Sequence, residues 1–334
     1  VCSSDLIICI ESAQEFGDLI QRDVEFIELN KPPGREFKTH KTIFTFLRLH
    51  KPDVVNTYNL PTMEYLAVAW LARIKVRVHA EHGREMDDLN GDNKKRNLLR
   101  KLSLPFATKI VTVSSDLKEW LIQRFKLPRH KIEQIDNGID TQVFCNQHIE
   151  RSLFKIGLIG RLDDVKNHIE VVNLCVYLRK HNPELLETLK FEIVGDGPNF
   201  SSLKDSIESL NLTSHIQLLG KRMDIPDLLN QFSLFLQTSN YEALPMTIIE
   251  AMACERLVIA SNVGGVPQLI QDGTDGFLYE LGNIPQLAEL IQRTINNHKN
   301  ESQVVALNAR KKILNQYSCE AMANKYQKIY EAVT

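Results

Sequence analysis

Two glutamates, eight residues apart, are the most informative chemical groups in this sequence. Glu242 follows the apolar run Leu234–Leu236, and Glu250 falls about two turns inside the helix that the intervening residues predict. A carboxylate accepts charge-assisted hydrogen bonds from hydroxyl groups, each contributing about 1.5–3 kcal/mol. Glu250 stands in a run of isoleucine, alanine and methionine, where a carboxylate usually has a polar partner. The alternative is that both glutamates are exposed residues of a surface helix.

A cationic loop precedes these glutamates in the chain. Gly160 and Arg161 follow a predicted strand, and Lys166 opens a predicted helix. An arginine forks onto phosphate oxygens, a lysine adds a point charge, and a helix N-terminus favours anions. The loop therefore predicts a site for an anion such as a phosphate group. Alternatively, Arg161 and Lys166 pair with Asp163 and Asp164 on a solvated face.

Further glycine turns end other predicted strands of this half. The turn residues are Gly195, Asp196, Gly197, Gly220 and Lys221. Glycine lets the backbone turn sharply and approach another segment closely. Phe200 stands where the dinucleotide fingerprint Gly-x-Gly-x-x-Gly requires its third glycine, and the fingerprint occurs nowhere in the chain. We therefore predict no nicotinamide cofactor, and no other cofactor.

A polar group also ends a predicted strand in the N-terminal half. His79, Glu81, His82 and Arg84 lie at or just after that strand, and the carboxyl ends of parallel strands face the ligand in open α/β sheets. The spacing is not His-Glu-x-x-His, which argues against a zinc protease. Asp-x-Asp is also absent, and no metal is predicted. A lone histidine is more often structural than functional.

Short apolar runs alternate with helical stretches along the whole chain, which predicts the α/β class with two doubly wound, Rossmann-like domains. A chain of 334 residues is long enough for both. The predicted strands are 6–10, 24–29, 54–57, 76–79, 110–113, 155–158, 191–194, 216–219, 234–237, 258–260 and 276–279. We place the domain boundary in the turn-rich loop near residue 148, so the domains are 1–148 and 149–317.

Composition excludes several classes of protein. The net charge of −2 argues against a general nucleic-acid binder, and no apolar run approaches the roughly 18 residues that span a bilayer. The six cysteines show no close pair, which predicts reduced thiols in a cytoplasmic protein. No glycine-rich loop follows the first apolar run, and we expect that a first strand, its turn and a helix are missing from the N-terminal domain.

The motifs between Arg161 and about Glu280 resemble, in order and spacing, the donor site of family 4 retaining glycosyltransferases of the GT-B fold. The N-terminal motifs resemble a bacterial subgroup of sugar transferases associated with exopolysaccharide and PEP-CTERM/exosortase gene clusters. The motifs of the N-terminal half are 81–84, 88–91, 97–100, 112–117 and 137–140. The resemblance implies two domains facing a cleft, with residues 318–334 forming a helix that crosses back to the first domain.

The resemblance also implies roles for single residues. Arg161 and Lys166 would hold the diphosphate of a UDP- or GDP-sugar, Glu250 the ribose, and Glu242 and His82 the sugar. Arg84 and, more weakly, His79 would lie on the acceptor side. The remaining donor-binding positions are Gly160, Gly195, Asp196, Gly197, Gly220, Lys221, Ala243, Leu244, Pro245 and Met246. Family members often have glycine where this chain has Ala243.

The implied activity is transfer of a sugar to a hydroxyl of a glycan or lipid-linked acceptor, with retention of configuration. A nucleotide-sugar epimerase of related fold and a catalytically impaired nucleotide-sugar-binding protein are the alternatives. The basic, amphipathic stretch 93–104 predicts peripheral contact with an anionic membrane or a lipid-diphosphate acceptor. The alternative is a solvated helix face over a buried leucine stripe.

Overall fold

The computed structural model describes residues 6–10, 24–32, 37–83, 88, 91–149, 154–296 and 301–332. The chain divides into two compact units. Unit 1 comprises Val1–Val113, Leu117–Gln134 and Gln327–Thr334. Unit 2 comprises Ser114–Asp116 and Ile135–Tyr326. The main division thus falls after Gln134, upstream of the boundary predicted at residue 148.

The described residues of unit 1 form two parallel sheets. A two-stranded sheet pairs β1 (Leu6–Cys9) with β2 (Glu25–Glu28). A four-stranded sheet has the order β3 (Val54–Tyr58), β4 (Val76–Glu81), β5 (Lys109–Thr112) and β6 (Ile132–Gln134). The helices are α1 (Phe37–His50), α2 (Asn59–Thr62), α3 (Tyr65–Leu71), α4 (Lys94–Ser103) and α5 (Ser115–Phe125). The buried apolar residues of β4 and β5 are valine, isoleucine and alanine, as is usual in parallel sheets.

Unit 2 is built on one six-stranded parallel sheet of order β12-β11-β10-β7-β8-β9. Its strands are β7 (Phe154–Ile159), β8 (Leu189–Val194), β9 (Ile216–Gly220), β10 (Leu234–Gln237), β11 (Leu257–Ser261) and β12 (Phe277–Tyr279). Its helices are α6 (Ile169–His181), α7 (Pro183–Thr188), α8 (Phe200–Ser209), α9 (Ile225–Gln231), α10 (Met246–Ala253), α11 (Val266–Leu269), α12 (Ile284–Asn296) and α13 (Glu301–Gln316). The last helix is α14 (Cys319–Glu331).

The centre of the unit 2 sheet is fully buried. Every residue of β10 and of β11 is buried, and their continuous apolar character follows from having helices on both faces. Glycine is required at Gly157 in β7, because a Cβ there would lie 2.0 Å from the ring of Phe232. The two hydrophobic clusters of unit 2 pack around these strands.

The predicted α/β class with parallel sheets is confirmed. Among the described residues, no helix is both long and apolar enough to cross a membrane. The strand β6 was not predicted, because its three residues carry only one fully buried apolar side chain, Ile132.

Candidate functional site

The strand order of unit 2 reverses between β7 and β10. The chain runs outward from β7 to β8 and β9, then crosses back to place β10 beside β7. Such a switch point opens a crevice at the carboxyl ends of the two strands, where ligands bind in open α/β sheets. The cationic loop 160–168 follows β7, and the loop with Glu242 follows β10. Topology therefore brings together the two motifs that the sequence singled out.

Three glycine turns pack against one another at this edge of the sheet. Gly195 has φ +144°, and a Cβ on it would lie 1.9 Å from the carbonyl oxygen of Gly160. A Cβ on Gly197 would lie 2.4 Å from the carbonyl oxygen of Leu162. The amide of Gly195 donates to the carbonyl of Gly220 at 2.9 Å. These turns need glycine because backbone meets backbone there, which fixes the position of the cationic loop.

Lys166 and Glu242 form an ion pair across the switch point. Lys166 Nζ lies 2.6 Å from Glu242 Oε1, and the two side chains are 23% and 9% exposed. The alkyl chain of Lys166 runs over Gly160, whose missing Cβ would stand 3.4 Å from Lys166 Cγ. The alternative pairing of Lys166 with an aspartate is wrong, since its partner is Glu242.

Arg161 is placed differently. Its Nε lies 3.7 Å from Asp163 Oδ2, and its side chain is 64% exposed. The pairing with Asp163 that we gave as an alternative is therefore present, though at the long end of ion-pair distances. A surface pair of this kind contributes little to stability, about 0–1 kcal/mol, and it leaves the guanidinium accessible to an incoming anion.

Two polar residues that we did not predict as site residues hold Glu242 in place. Gln237 Nε2 donates to Glu242 Oε1, and Ser239 Oγ donates to the same oxygen at 2.6 Å. Gln237 also accepts from Thr247 Oγ1 at 3.2 Å through its side-chain carbonyl. Gln237 and Ser239 stand five and three residues before Glu242, on the strand and loop that lead to it, and this spacing is the only sequence signal that marks them. 

The cationic loop is anchored to the loop after β10. Asp163 Oδ1 accepts from the backbone amides of Val165 and Lys166 at 3.1 Å each. The amide of Asn240 donates to the carbonyl of Val165 at 2.7 Å, and its side chain donates to the carbonyl of Asp164 at 2.6 Å. These bonds fix the backbone of Lys166 relative to Glu242. The helix α6 begins at Ile169, three residues after Lys166, instead of at the lysine as predicted.

A second glycine pair supports Glu242 from the side of β11. Gly264 has φ +52°, and a Cβ on it would lie 2.1 Å from the carbonyl oxygen of Glu242. The amide of Gly265 donates to that carbonyl at 2.8 Å. Because a Cβ on Gly265 would lie 1.9 Å from the carbonyl oxygen of Ala243, both positions require glycine.

Glu250 is a half-buried carboxyl group on α10. Burial raises its pKa from 4.5 to about 7. Within the described part of the chain no side chain or backbone group donates a hydrogen bond to its carboxylate. A desolvated carboxyl group without a protein partner is suited to hydrogen bonding with a ligand. Pro245 is the N-cap of this helix, with no side-chain cap, and Leu244 and Met246 beside it are partly buried.

In unit 1, the polar side chains at the carboxyl end of β4 form a closed cluster. His79 Nε2 lies 2.8 Å from Glu81 Oε2, and its Nδ1 lies 2.8 Å from Thr57 Oγ1. Arg100 Nε and Nη2 donate to Glu81 Oε1 at 3.0 and 2.5 Å, and its guanidinium stacks on Trp120 at 5.2 Å. The side chains of His79, Glu81 and Arg100 are buried. Burial alone would raise the pKa of Glu81, yet the hydrogen bond and charge of His79, together with Arg100, hold it below its usual value.

This cluster corrects one predicted role. His79 was expected on the acceptor side, but its side chain is fully buried and both ring nitrogens have protein partners. It therefore orients Glu81 and does not meet a ligand. His82 follows the strand end, where its amide donates to Asn59 Oδ1 at 2.8 Å and its ring packs 5.7 Å from that of Tyr58. Arg84 lies outside the described residues.

The chain matches two family models that together cover most of its length. Residues 146–312 match the family described as Glycosyl transferases group 1. Residues 7–143 match the family described as Glycosyltransferase Family 4. The first match alone spans half of the chain and contains every residue of the switch-point site.

Individual relatives agree with these matches. A UDP-Gal:alpha-D-GlcNAc-diphosphoundecaprenol alpha-1,3-galactosyltransferase of Escherichia coli is 27% identical over 313 residues, which cover 89% of this chain and 79% of that protein. An N-acetyl-alpha-D-glucosaminyl L-malate synthase of Bacillus anthracis is 27% identical over 274 residues, covering 80% of this chain and 70% of the relative.

The fold is also found in solved structures. The crystal structure of HepE from Anabaena in complex with UDP superposes with a TM-score of 0.81 at 19% identity, covering 98% of this chain and 92% of that one. The likeness confirms the predicted GT-B fold class, with two parallel-sheet α/β domains.

Proposed function

The chain belongs to the Glycosyl transferases group 1 family, and from that premise we propose that it transfers a sugar from a UDP-sugar to a hydroxyl group of a lipid-linked or glycan acceptor. The observation that carries the proposal is the ion pair of Lys166 and Glu242 at the switch point. The helix α10 that follows Glu242 carries the carboxyl group of Glu250, whose pKa burial raises to about 7. The site thus offers a cation for phosphate and carboxylates for hydroxyl groups.

Each residue has a separate task in this proposal. Lys166 and Arg161 neutralise the diphosphate as it leaves, which is electrostatic stabilisation of the transition state. Glu250 accepts hydrogen bonds from the ribose hydroxyls, and Glu242 accepts from the sugar. Because Gln237, Ser239 and Lys166 all contact Glu242 Oε1, they orient that carboxylate before the donor arrives.

The remaining donor contacts are assigned to the turns around the site. We propose that Gly160, Gly195, Asp196 and Gly197 line the diphosphate and nucleoside, and that Gly220 and Lys221 lie near the base. The segment Ala243, Leu244, Pro245 and Met246 would present the start of α10 to the donor. The assignments of His82 and Arg84 to sugar and acceptor likewise remain predictions.

We propose that the reaction proceeds with retention and without a metal ion. The acceptor hydroxyl attacks the anomeric carbon on the face from which the diphosphate departs. The bond between that carbon and the phosphate oxygen breaks, a bond to the acceptor oxygen forms, and the hydroxyl proton passes to a phosphate oxygen of the leaving group. We assign Glu242 no covalent role, because the donors Lys166, Gln237 and Ser239 withdraw electron density from its carboxylate through Oε1.

The names of the relatives favour a substrate class. The Escherichia coli relative uses UDP-Gal and a diphosphoundecaprenol-linked GlcNAc, and HepE was solved with UDP. We therefore propose a UDP-sugar donor over a GDP-sugar donor, and a lipid-diphosphate-linked sugar as acceptor. The proposed setting is exopolysaccharide synthesis at the cytoplasmic face of a bacterial membrane.

A transfer assay tests the proposal. UDP release would be followed with UDP-galactose, UDP-glucose and UDP-N-acetylglucosamine, each with and without a diphospholipid-linked N-acetylglucosamine. We expect acceptor-dependent UDP release with one donor and an α-linked product by proton NMR. Conversion of donor without acceptor would indicate an epimerase instead, and the absence of turnover with intact nucleotide binding would indicate a binding protein.

A further inference from the structure

The outward face of α4 in unit 1 carries two exposed leucines among lysines. Leu98 and Leu102 are 57% and 61% exposed, and Lys94, Lys95 and Lys101 are exposed beside them. Their spacing of i, i+1, i+4, i+7 and i+8 places all five side chains on one face of the helix. We call these five residues the α4 face.

The opposite side of α4 is fixed to the protein interior. Arg100 and Ser103 are buried, and Arg100 is held by two hydrogen bonds to Glu81. At the N-terminus of the helix, Asn93 Oδ1 accepts from the amides of Lys95 and Arg96. The rotation of α4 about its axis is therefore set by buried contacts, so the α4 face cannot turn inward. Leu98 and Leu102 therefore depart from the alternative of a buried leucine stripe, whereas Leu104 at the end of the stretch is fully buried.

The stretch of sequence that begins with α4 is strongly basic. Residues 94–131 contain eleven lysines and arginines and two acidic residues, although Arg96, Arg100 and Arg124 pair with the carboxylates of Asp88, Glu81 and Asp92. The helix α4 has five basic residues and no acidic one. A second apolar group, Trp70, is 52% exposed and packs against Phe106, which follows α4 in the chain.

We propose that the α4 face docks this protein on an anionic lipid bilayer, with Leu98 and Leu102 entering the interface and Lys94, Lys95 and Lys101 contacting acidic headgroups. A helix lying in a membrane interface needs this combination of exposed apolar side chains and flanking cations. This proposal rests on the proposed function in one respect. An enzyme docked on the bilayer would meet its lipid-linked acceptor at the surface where that lipid resides.

A second copy of the chain is a poorer occupant of the same face. A two-fold dimer pairs a patch with itself, and the α4 face would then bring six lysines together with no acidic residue of the helix between them. An anionic bilayer instead complements every charge on the face. The charge pattern therefore decides between these two occupants.

Vesicle cosedimentation with the full chain tests the docking surface. Vesicles of phosphatidylcholine with phosphatidylglycerol would be compared with phosphatidylcholine alone, at low and high salt. We expect binding only to the anionic vesicles and weaker binding at high salt. Replacing all three lysines by glutamine should weaken binding on the order of 100-fold. The pair Leu98→Ser and Leu102→Ser should weaken it at least about tenfold, because two apolar contacts are lost.

A matched control uses another exposed apolar pair. Val304 and Leu307 on α13 in unit 2 are 57% and 49% exposed, and Val304→Ser with Leu307→Ser should leave vesicle binding unchanged. Wild-type protein that ignores anionic vesicles, or α4-face variants that bind as wild type does, would overturn the proposal. UDP binding by each variant, measured by thermal shift, separates this outcome from failure of the proposed function. Vesicle binding without UDP binding would refute the proposed function and would leave the docking proposal intact.

Discussion

Unit 1 and unit 2 each place an acidic side chain against basic ones at the carboxyl end of a parallel strand, but only one of the two clusters is open. In unit 1, Glu81 is enclosed by His79 and Arg100, and all three side chains are buried. In unit 2, Lys166 contacts Glu242 while remaining 23% exposed, and Glu250 on the following helix α10 has no hydrogen-bond partner for its carboxylate among the described residues. The same residue types thus serve structure in one unit and, we propose, ligand binding in the other. Exposure and unsatisfied hydrogen-bonding capacity distinguish the two, whereas residue type does not.

The pKa values of Glu81 and Glu250 shift in opposite directions, although both carboxyl groups are desolvated. Burial favours the neutral acid in both. His79 and Arg100 contact the carboxylate of Glu81 and reverse the effect there, whereas no group among the described residues donates to Glu250. The lowered pKa of Glu81 stabilises unit 1 above pH 4.5, and this contribution is lost as the pH falls. The raised pKa of Glu250 makes unit 2 less stable as the pH rises from 4.5 to about 7.

The largest effect is expected from a substitution that disrupts the closed cluster of His79, Glu81 and Arg100 in unit 1. Arg100→Ala leaves Glu81 buried with one cationic partner removed, and we expect the free energy of unfolding of unit 1 to fall by about 3–5 kcal/mol. Both tryptophans, Trp70 and Trp120, lie in unit 1, so their fluorescence during urea unfolding reports on that unit.

The matched control for this substitution is a surface pair in the same unit. Arg129 donates to both oxygens of Glu119 at 2.7 Å. Arg129→Ala should cost no more than about 1 kcal/mol because the pair is exposed to solvent. Equal effects of the two arginine substitutions would show that burial does not separate the clusters as we argue.

The second largest effect is expected from a substitution that disrupts the open pair of Lys166 and Glu242 in unit 2. Lys166→Ala should lower turnover on the order of 100-fold, because a cation that stabilises the leaving diphosphate is removed. Steady-state kinetics of UDP release would measure this. Lys204→Ala is the control, since Lys204 pairs with Glu208 at 3.8 Å on the exposed surface of the same unit. An unchanged rate in Lys166→Ala would refute its assigned role.

The smallest effect concerns stability alone. Glu250→Gln removes a carboxyl group that must ionise in a desolvated place, and we expect unit 2 to gain about 1–3 kcal/mol above pH 7. Calorimetry at several pH values would show the gain shrinking as the pH falls below about 7. Glu208→Gln, on the surface, should show no such dependence. A gain that persists unchanged down to pH 4.5 would contradict the raised pKa of Glu250.

The sequence predicted the strands of unit 2 well because each is a short apolar run between turn residues. Leu234–Gln237 was predicted with the bounds that the structure shows. The ion pair of Lys166 with Glu242 was not predicted, because its partners are 76 residues apart and meet only through the strand order. Aspartates adjacent to Lys166 were the partners that local spacing suggested.

In unit 1, the sequence did not reveal which polar side chains are buried. Arg100 stands in a basic, amphipathic helix, whose pattern predicts that every cation is exposed. Yet it is among the largest fully buried side chains of the described residues. Its burial follows from the acid at the end of β4, nineteen residues away. His79 was mistaken for a ligand-facing residue for the same reason, since its position at a strand end did not reveal that Thr57 and Glu81 occupy both ring nitrogens.

The most direct test of the open site is nucleotide binding. A thermal-shift panel of UDP, GDP and ADP would be run above pH 7 on the wild type, on Glu250→Ala and on Arg129→Ala. We predict that UDP stabilises the wild type by about 2.7 kcal/mol at 100 times its dissociation constant, that GDP and ADP do not, and that the effect is lost in Glu250→Ala but kept in Arg129→Ala. A folded wild type that no nucleotide stabilises, or a UDP shift that survives in Glu250→Ala, would contradict the account.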